Sequence, residues 1–240
     1  MGAAAGQVAT EPAVTSAPGA AAKAAAALEQ LGAKIERDAR GRVIGAELVK
    51  LKLTDADAAH LAALADLESL TIEDCPASGA ALAPIKPLVR LERLYLEGLQ
   101  LDDASLVHLG KLTRLENLSL QNSGISGRGL AAIKGLKALR VLNLGGNRID
   151  DAALAALAGL SELDTIVLDG TQVTDAGLKH LSGLSKLRVL NLSHSKITGA
   201  GLNHLLPLHE LRMLYCYETA AKPSELLKFR KSMSGLAVYY

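Results

Sequence analysis

Aromatic side chains are scarce in this chain: one Phe, five Tyr and no Trp among 240 residues. Large mixed cores are normally built around such rings, so their scarcity points to an interior layered from aliphatic side chains. Neither sign of charge dominates, since 26 Lys and Arg against 25 Asp and Glu leave a net charge of +1. That excludes the basic footprint by which a chain holds nucleic acid or an anionic membrane. The two cysteines, Cys75 and Cys216, are too few for a disulfide framework, and unpaired thiols suit a reducing compartment such as the cytoplasm. No long apolar run occurs either. Lys23 and Glu29 interrupt the Ala-rich stretch that comes nearest to one, so the chain is expected to be soluble, without a membrane-spanning helix. Residues 1–19, rich in Ala, Pro, Thr and Ser, lack the basic start and Leu-rich centre of a secretory leader, and Gly6 stands where myristoylation needs Ser or Thr. They are expected to be disordered.

What the chain does have is apolar residues at a fixed interval. Leu53, Ala77, Leu101, Ile125, Ile149, Val173 and Ile197 stand 24 positions apart, and the seven units they open span residues 53–219 without insertion. A second set, Leu67, Leu91, Leu115, Leu139, Leu163, Leu187 and Leu211, begins an LxxLxL segment in each unit. The last two apolar positions of that segment are two apart, which is the period of a strand and sends both side chains to one face. The other half of each unit changes to helical spacing, as at Leu106, Leu109 and Leu112, so one short helix with one apolar stripe is predicted per unit. Just before each helix stands a short polar residue, Thr54, Ser78, Asp102, Ser126, Asp150, Thr174 or Thr198, read as an N-cap worth roughly 1 kcal/mol.

An array exposes apolar surface at both ends unless capped. Residues 20–52 are therefore read as an N-terminal cap: a helix from Ala20 to Leu31 closed by Gly32, then a hairpin turning at Asp38-Ala39-Arg40-Gly41. Residues 220–240 are read as a C-terminal half-unit, with Pro223 in a first helical turn and Leu226, Phe229, Val238 and Tyr240 in the buried columns.

The LxxLxL segment followed by a small polar residue resembles the leucine-rich repeat family, over Val43 to Tyr240. The phrase VTDAGLKHL from Val173 is similar to bacterial arrays of that family and to the receptor half of F-box proteins. The resemblance implies an α/β fold: a right-handed solenoid bent into an arc, with parallel strands on the concave face and short helices on the convex face. At the family's Asn/Cys position this chain has Cys75, Leu99, Ser123, Asn147, Thr171, Ser195 and Thr219, so a weaker buried polar ladder is implied.

Catalytic and metal-binding patterns fail on inspection. His60, His108, His180 and His204 share one helical column, as expected of one residue copied with the repeat, and further zinc ligands are missing beside them. His209-Glu210-Leu211-Arg212-Met213 begins like a zincin helix but has Met213 where the second His belongs. Asn117-Leu118-Ser119 and Asn191-Leu192-Ser193 match glycosylation acceptors but fall inside predicted strands. Neither an enzyme nor a cofactor is expected.

Residues between the buried strand positions point outward, where an array varies without damage to its core. These columns pass from acidic at Glu47, Glu73, Asp74 and Glu97, through polar, to aromatic at Tyr215, Tyr217 and Tyr239. The expected function is a monomeric, non-enzymatic scaffold that binds a protein or peptide on the concave sheet. The expected contact residues are Glu73, Tyr95, Glu97, Asn143, Asp169, Asn191, His194, Met213, Tyr215, Tyr217 and Glu218. Met213, Tyr215 and Tyr217 are the anchors, because Tyr and Met concentrate at interface cores. A carbohydrate or cell-envelope ligand held by Tyr95 and the polar centre, Asn117, Asn143, Asn191 and His194, is the alternative.

Overall fold

A computed structural model describes residues 18–240. The expectation of disorder for residues 1–17 lies outside this range. Pro18 and Gly19 already belong to a helix, α1 (Pro18–Gln30), which Gly32 ends at a φ of +101°. A hairpin follows, β1 (Lys34–Arg37) and β2 (Val43–Val49), paired antiparallel. Its turn is tied by Asp38, whose carboxylate accepts from the Arg40 and Arg42 amides and from the Arg42 guanidinium.

From β2 onward every strand is parallel to its neighbour in sequence order. They are β3 (Ser69–Glu73), β4 (Arg93–Glu97), β5 (Asn117–Ser119), β6 (Val141–Asn143), β7 (Thr165–Val167), β8 (Val189–Asn191), β9 (Met213–Tyr215) and β10 (Ala237–Tyr239). The register is constant at 24 residues: Leu70 pairs Leu94, Leu94 pairs Leu118, and so on to Leu190 with Leu214. With all units in one phase, each apolar column becomes a continuous buried row. Leu67, Leu91, Leu115, Leu139, Leu163, Leu187 and Leu211 are all fully buried. The interior is thus a stack of leucine layers, and a parallel crossover of this kind is right-handed.

The return half of each unit is mostly 3-10 helix, with single α turns at α2 (Asp55–Ala58) and α3 (Asp175–Leu178) and a longer α4 (Pro223–Ser232) after the last unit. Parallel strands stand about 4.8 Å apart and packed helices about 8–10 Å apart. The sheet therefore takes the inner side of the bend, and the tighter 3-10 form limits the curvature.

The predicted caps divide into two classes. Thr54 forms a capping box with Asp57, while Ser78, Thr174 and Thr198 accept from the amides of Ala80, Ala176 and Ala200. Asp102 and Asp150 accept instead from the Ser105 and Ala153 amides, at 2.7 and 3.0 Å. Ser126 departs from expectation and makes no side-chain cap.

Every Ser or Thr at this position after Thr54 is also held by the unit before it. Asp55 accepts the Ser78 amide and hydroxyl, both at 2.7 Å. Asp103 does the same for Ser126, Asp151 for Thr174 and Asp175 for Thr198. Where the preceding unit has Gly79 or Gly127 in the place of that Asp, the cap itself is Asp102 or Asp150. Wherever the cap is a carboxylate the preceding unit has Gly, so two carboxylates never meet across one step.

The interior polar ladder is discontinuous, as the family resemblance implies. Cys75, Ser123 and Asn147 reach carbonyls of the preceding unit, at Leu48, Leu96 and Leu120. Thr171, Ser195 and Thr219 bond only within their own units, and Leu99 cannot take part. Cys75 and Cys216 are free and buried. Burial raises both thiols, Cys216 to about 12. An aromatic disulfide reagent at pH 8 should therefore titrate no thiol in the native chain and two after denaturation, and rapid native labelling would contradict this packing.

A candidate partner-binding sheet

At the end of each strand the chain turns away through one residue in the left-handed region. Eight such residues stand at the 24-residue interval: Lys50, Asp74, Gly98, Asn122, Gly146, Gly170, His194 and Glu218, with φ from +50° to +67°. The amides of all but Glu218 donate to a carbonyl of the next unit, as Asp74 does to Glu97 and His194 to Tyr217. Gly carries this conformation without strain, and Asp and Asn tolerate it. Lys50, His194 and Glu218 do so at a cost.

Strand parity brings the outward columns onto one surface. At its acidic end Glu73 and Glu97 occupy the same register on β3 and β4, with Tyr95 and Thr71 paired beside them. Glu73, Tyr95 and Glu97 are half-buried. In the centre, Asn143 is committed locally: its amide nitrogen donates to Gln121 at 3.0 Å and its oxygen accepts from the Gly145 amide at 3.0 Å. The Asn191 oxygen likewise accepts from Ser193. Asp169 lies over Gly145, where a Cβ would come within 2.3 Å of its carboxylate.

The far end is apolar and aromatic. Tyr215 and Tyr239, in register on β9 and β10, stack with ring centroids 4.7 Å apart and planes 13° from parallel. The Tyr215 hydroxyl donates to the Met213 sulfur at 3.6 Å. Tyr217 is 45% exposed, and its amide donates to the Ser193 hydroxyl. His194 and Glu218, both left-handed, form a solvent-exposed pair at 3.2 Å on the rim. Val141, Val167 and Val189, half-buried on the same face, extend this apolar surface toward the centre.

The geometry thus gathers Met213, Tyr215, Tyr217, His194 and Glu218 at one end and Glu73, Tyr95 and Glu97 at the other. Asn191 pairs in register with Tyr215 and so joins the aromatic end, whereas Asn143 and Asp169 lie between the two groups. The valines lie beside the expected contact residues on this face, and their signal in sequence is the same as that of Tyr239, an apolar residue in an outward column. Tyr240, predicted in a buried column, is 50% exposed, because no further unit covers it among the described residues. Also among the described residues, no helix is long and apolar enough to cross a membrane.

No curated protein matches the chain in sequence. A family model described as leucine rich repeat matches residues 113–173 and 161–215. Among solved structures, internalin C2 from Listeria monocytogenes is similar at 22% identity and a TM-score of 0.68, covering 92% of each chain. The ectodomain of the Arabidopsis receptor kinase HAESA, in complex with an extended IDA peptide hormone, is similar at 17% identity and a TM-score of 0.67. The plant peptide hormone receptor RGFR1, in complex with RGF2, is similar at 15% identity and 0.57. The match covers 92% and 85% of this chain but only 41% and 39% of those two ectodomains. The 24-residue register, the parallel sheet backed by short helices and these matches together make this chain a leucine-rich repeat protein.

Proposed function

We propose that the chain is a binding scaffold whose concave sheet takes a protein or peptide partner, anchored on Met213, Tyr215 and Tyr217. The observation that carries this reading is the apolar and aromatic surface running from Val167 through Val189 and Met213 to the stacked Tyr215 and Tyr239. Aromatic rings that combine large contact area with few torsions concentrate interface energy. Both plant ectodomains above are complexes with peptides. A carbohydrate ligand has weaker support, because the Asn143 and Asn191 oxygens and one Asn143 N–H already bond neighbouring groups.

Dodecapeptides selected from a displayed random library against the chain supply the test. Tyr215→Ala with Tyr217→Ala should weaken their binding at least tenfold, a loss of about 1.4 kcal/mol or more. The melting temperature should stay within about 2 °C of the parent, because both side chains are partly exposed. Full affinity in the double variant would remove these anchors from the site.

A further inference from the structure

The acidic end of the sheet contains an arrangement that the fold does not require. Glu73 and Glu97 sit side by side in the same register of adjacent parallel strands. Like charges so placed destabilise a sheet. Asp74 adds a third carboxylate in the left-handed position, and Gly98 leaves room for it, since a Cβ there would lie 2.3 Å from its oxygen. Several other carboxylates of this half are paired, Glu47 with Lys34, Asp66 with Arg42 and Arg90, Glu92 with Arg114, while Glu36, Glu68 and Glu116 stand singly among the described residues. Among the described residues Glu73, Asp74 and Glu97 have no cation within 4 Å, although Lys50 stands one unit from Asp74 and Arg93 starts the strand of Glu97.

A second observation lies on the next strand. Ser119 pairs in register with Tyr95 on one side and Asn143 on the other, which turns its side chain to the same concave face. It is only 4% exposed, and its hydroxyl is the buried side-chain oxygen without a partner among the described residues. The neighbouring amide of Asn143 bonds Gln121 and Gly145 and makes no bond to it. Buried hydroxyls in folded chains are normally paired.

We infer that the trough formed by Glu73, Asp74, Glu97, Tyr95 and Ser119 seats a lysine or arginine side chain of the partner. The inference rests on the concave sheet being the docking face. A cationic head donates to the carboxylates and to the idle oxygen of Ser119, and the Tyr95 ring flanks its stem. Ser119 is covered in the free chain, so side chains around it shift as the group enters. An organic cation fits better than a divalent metal, because the three carboxylates do not converge: no group of three or more ligating side chains forms among the described residues. Five to six strand spacings separate Glu97 and Glu73 of this trough from Tyr215, about 24–29 Å at roughly 4.8 Å each. An extended partner crosses that distance in about seven to nine residues at roughly 3.3 Å per residue. The partner is therefore a segment with a basic residue about that far from a large apolar one.

Selecting the same dodecapeptide library against the parent and against Glu73→Gln with Glu97→Gln tests the inference. Parent-selected peptides should be enriched in Lys or Arg about seven to nine positions from an aromatic or large aliphatic residue. The variant should lose the basic enrichment and keep the apolar one, and its melting temperature should equal or exceed the parent's. Resynthesised parent-selected peptides should bind the variant at least fivefold more weakly, and less so as salt rises. No basic enrichment by the parent, or enrichment that persists in the variant, overturns the cationic trough and leaves the scaffold reading intact. If neither protein enriches any peptide, both readings fail together.

Discussion

Thr198→Asp is expected to destabilise the array by about 2–3 kcal/mol, and adding Asp175→Gly is expected to return most of that loss. Asp175 accepts the Thr198 amide at 2.7 Å and its hydroxyl at 2.6 Å. The single substitution removes the hydroxyl bond and sets a second carboxylate against the first. The double variant recreates the pairing found at Gly79 with Asp102 and at Gly127 with Asp150, where the cap accepts an amide of its own unit. Gly201 supplies the equivalent amide in the seventh unit, three residues after the cap. A fall on the order of 5–10 °C in melting temperature for the single variant, and near-recovery for the double, would be the readout. Simple addition of the two single effects would show that the pair does not act as one interlock.

Replacing Lys50, His194 and Glu218 together by Gly should stabilise the fold, by about 2 kcal/mol in total. All three occupy the left-handed column, which Gly98, Gly146 and Gly170 fill without strain. The His194–Glu218 pair lost in the process is exposed, and such pairs contribute about 0–1 kcal/mol. The two ends of the array should then separate. Lys50→Gly should raise the melting temperature and leave selected peptides bound as before. His194→Gly with Glu218→Gly should raise it while weakening those peptides, because both residues border Tyr217. A melting temperature that falls in the triple variant would mean that these side chains stabilise the turn more than the backbone strain opposes it.

The strands and their register could be read from the 24-residue interval because one period governs both. Leu70, Leu94 and Leu118 are equivalent in sequence and adjacent in space. The helical halves were less legible. Five residues such as Ser105–Leu109 are too few to separate a repeat of three from one of 3.6, so the 3-10 form emerges only from hydrogen bonding. The Asp interlock escaped a reading of caps one unit at a time, since Asp55 and Ser78 belong to different units. The exposure of Tyr240 follows from the missing neighbour rather than from its own column. Ser119 closed a sequon already set aside as falling inside a strand, and that its hydroxyl is buried without a partner among the described residues emerges only from the fold.

The constant strand spacing carries a consequence for whatever lies across it. Strands recur about every 4.8 Å, whereas an extended ligand turns a side chain to the sheet about every 6.7 Å. The two scales behave like a vernier and coincide again only after about seven strands, close to the length of this array. If the concave sheet is the docking face proposed above, a regular array of this size does not ask for a regular ligand. It would select a sequence whose features meet it at two distant points, with the contacts between falling out of step.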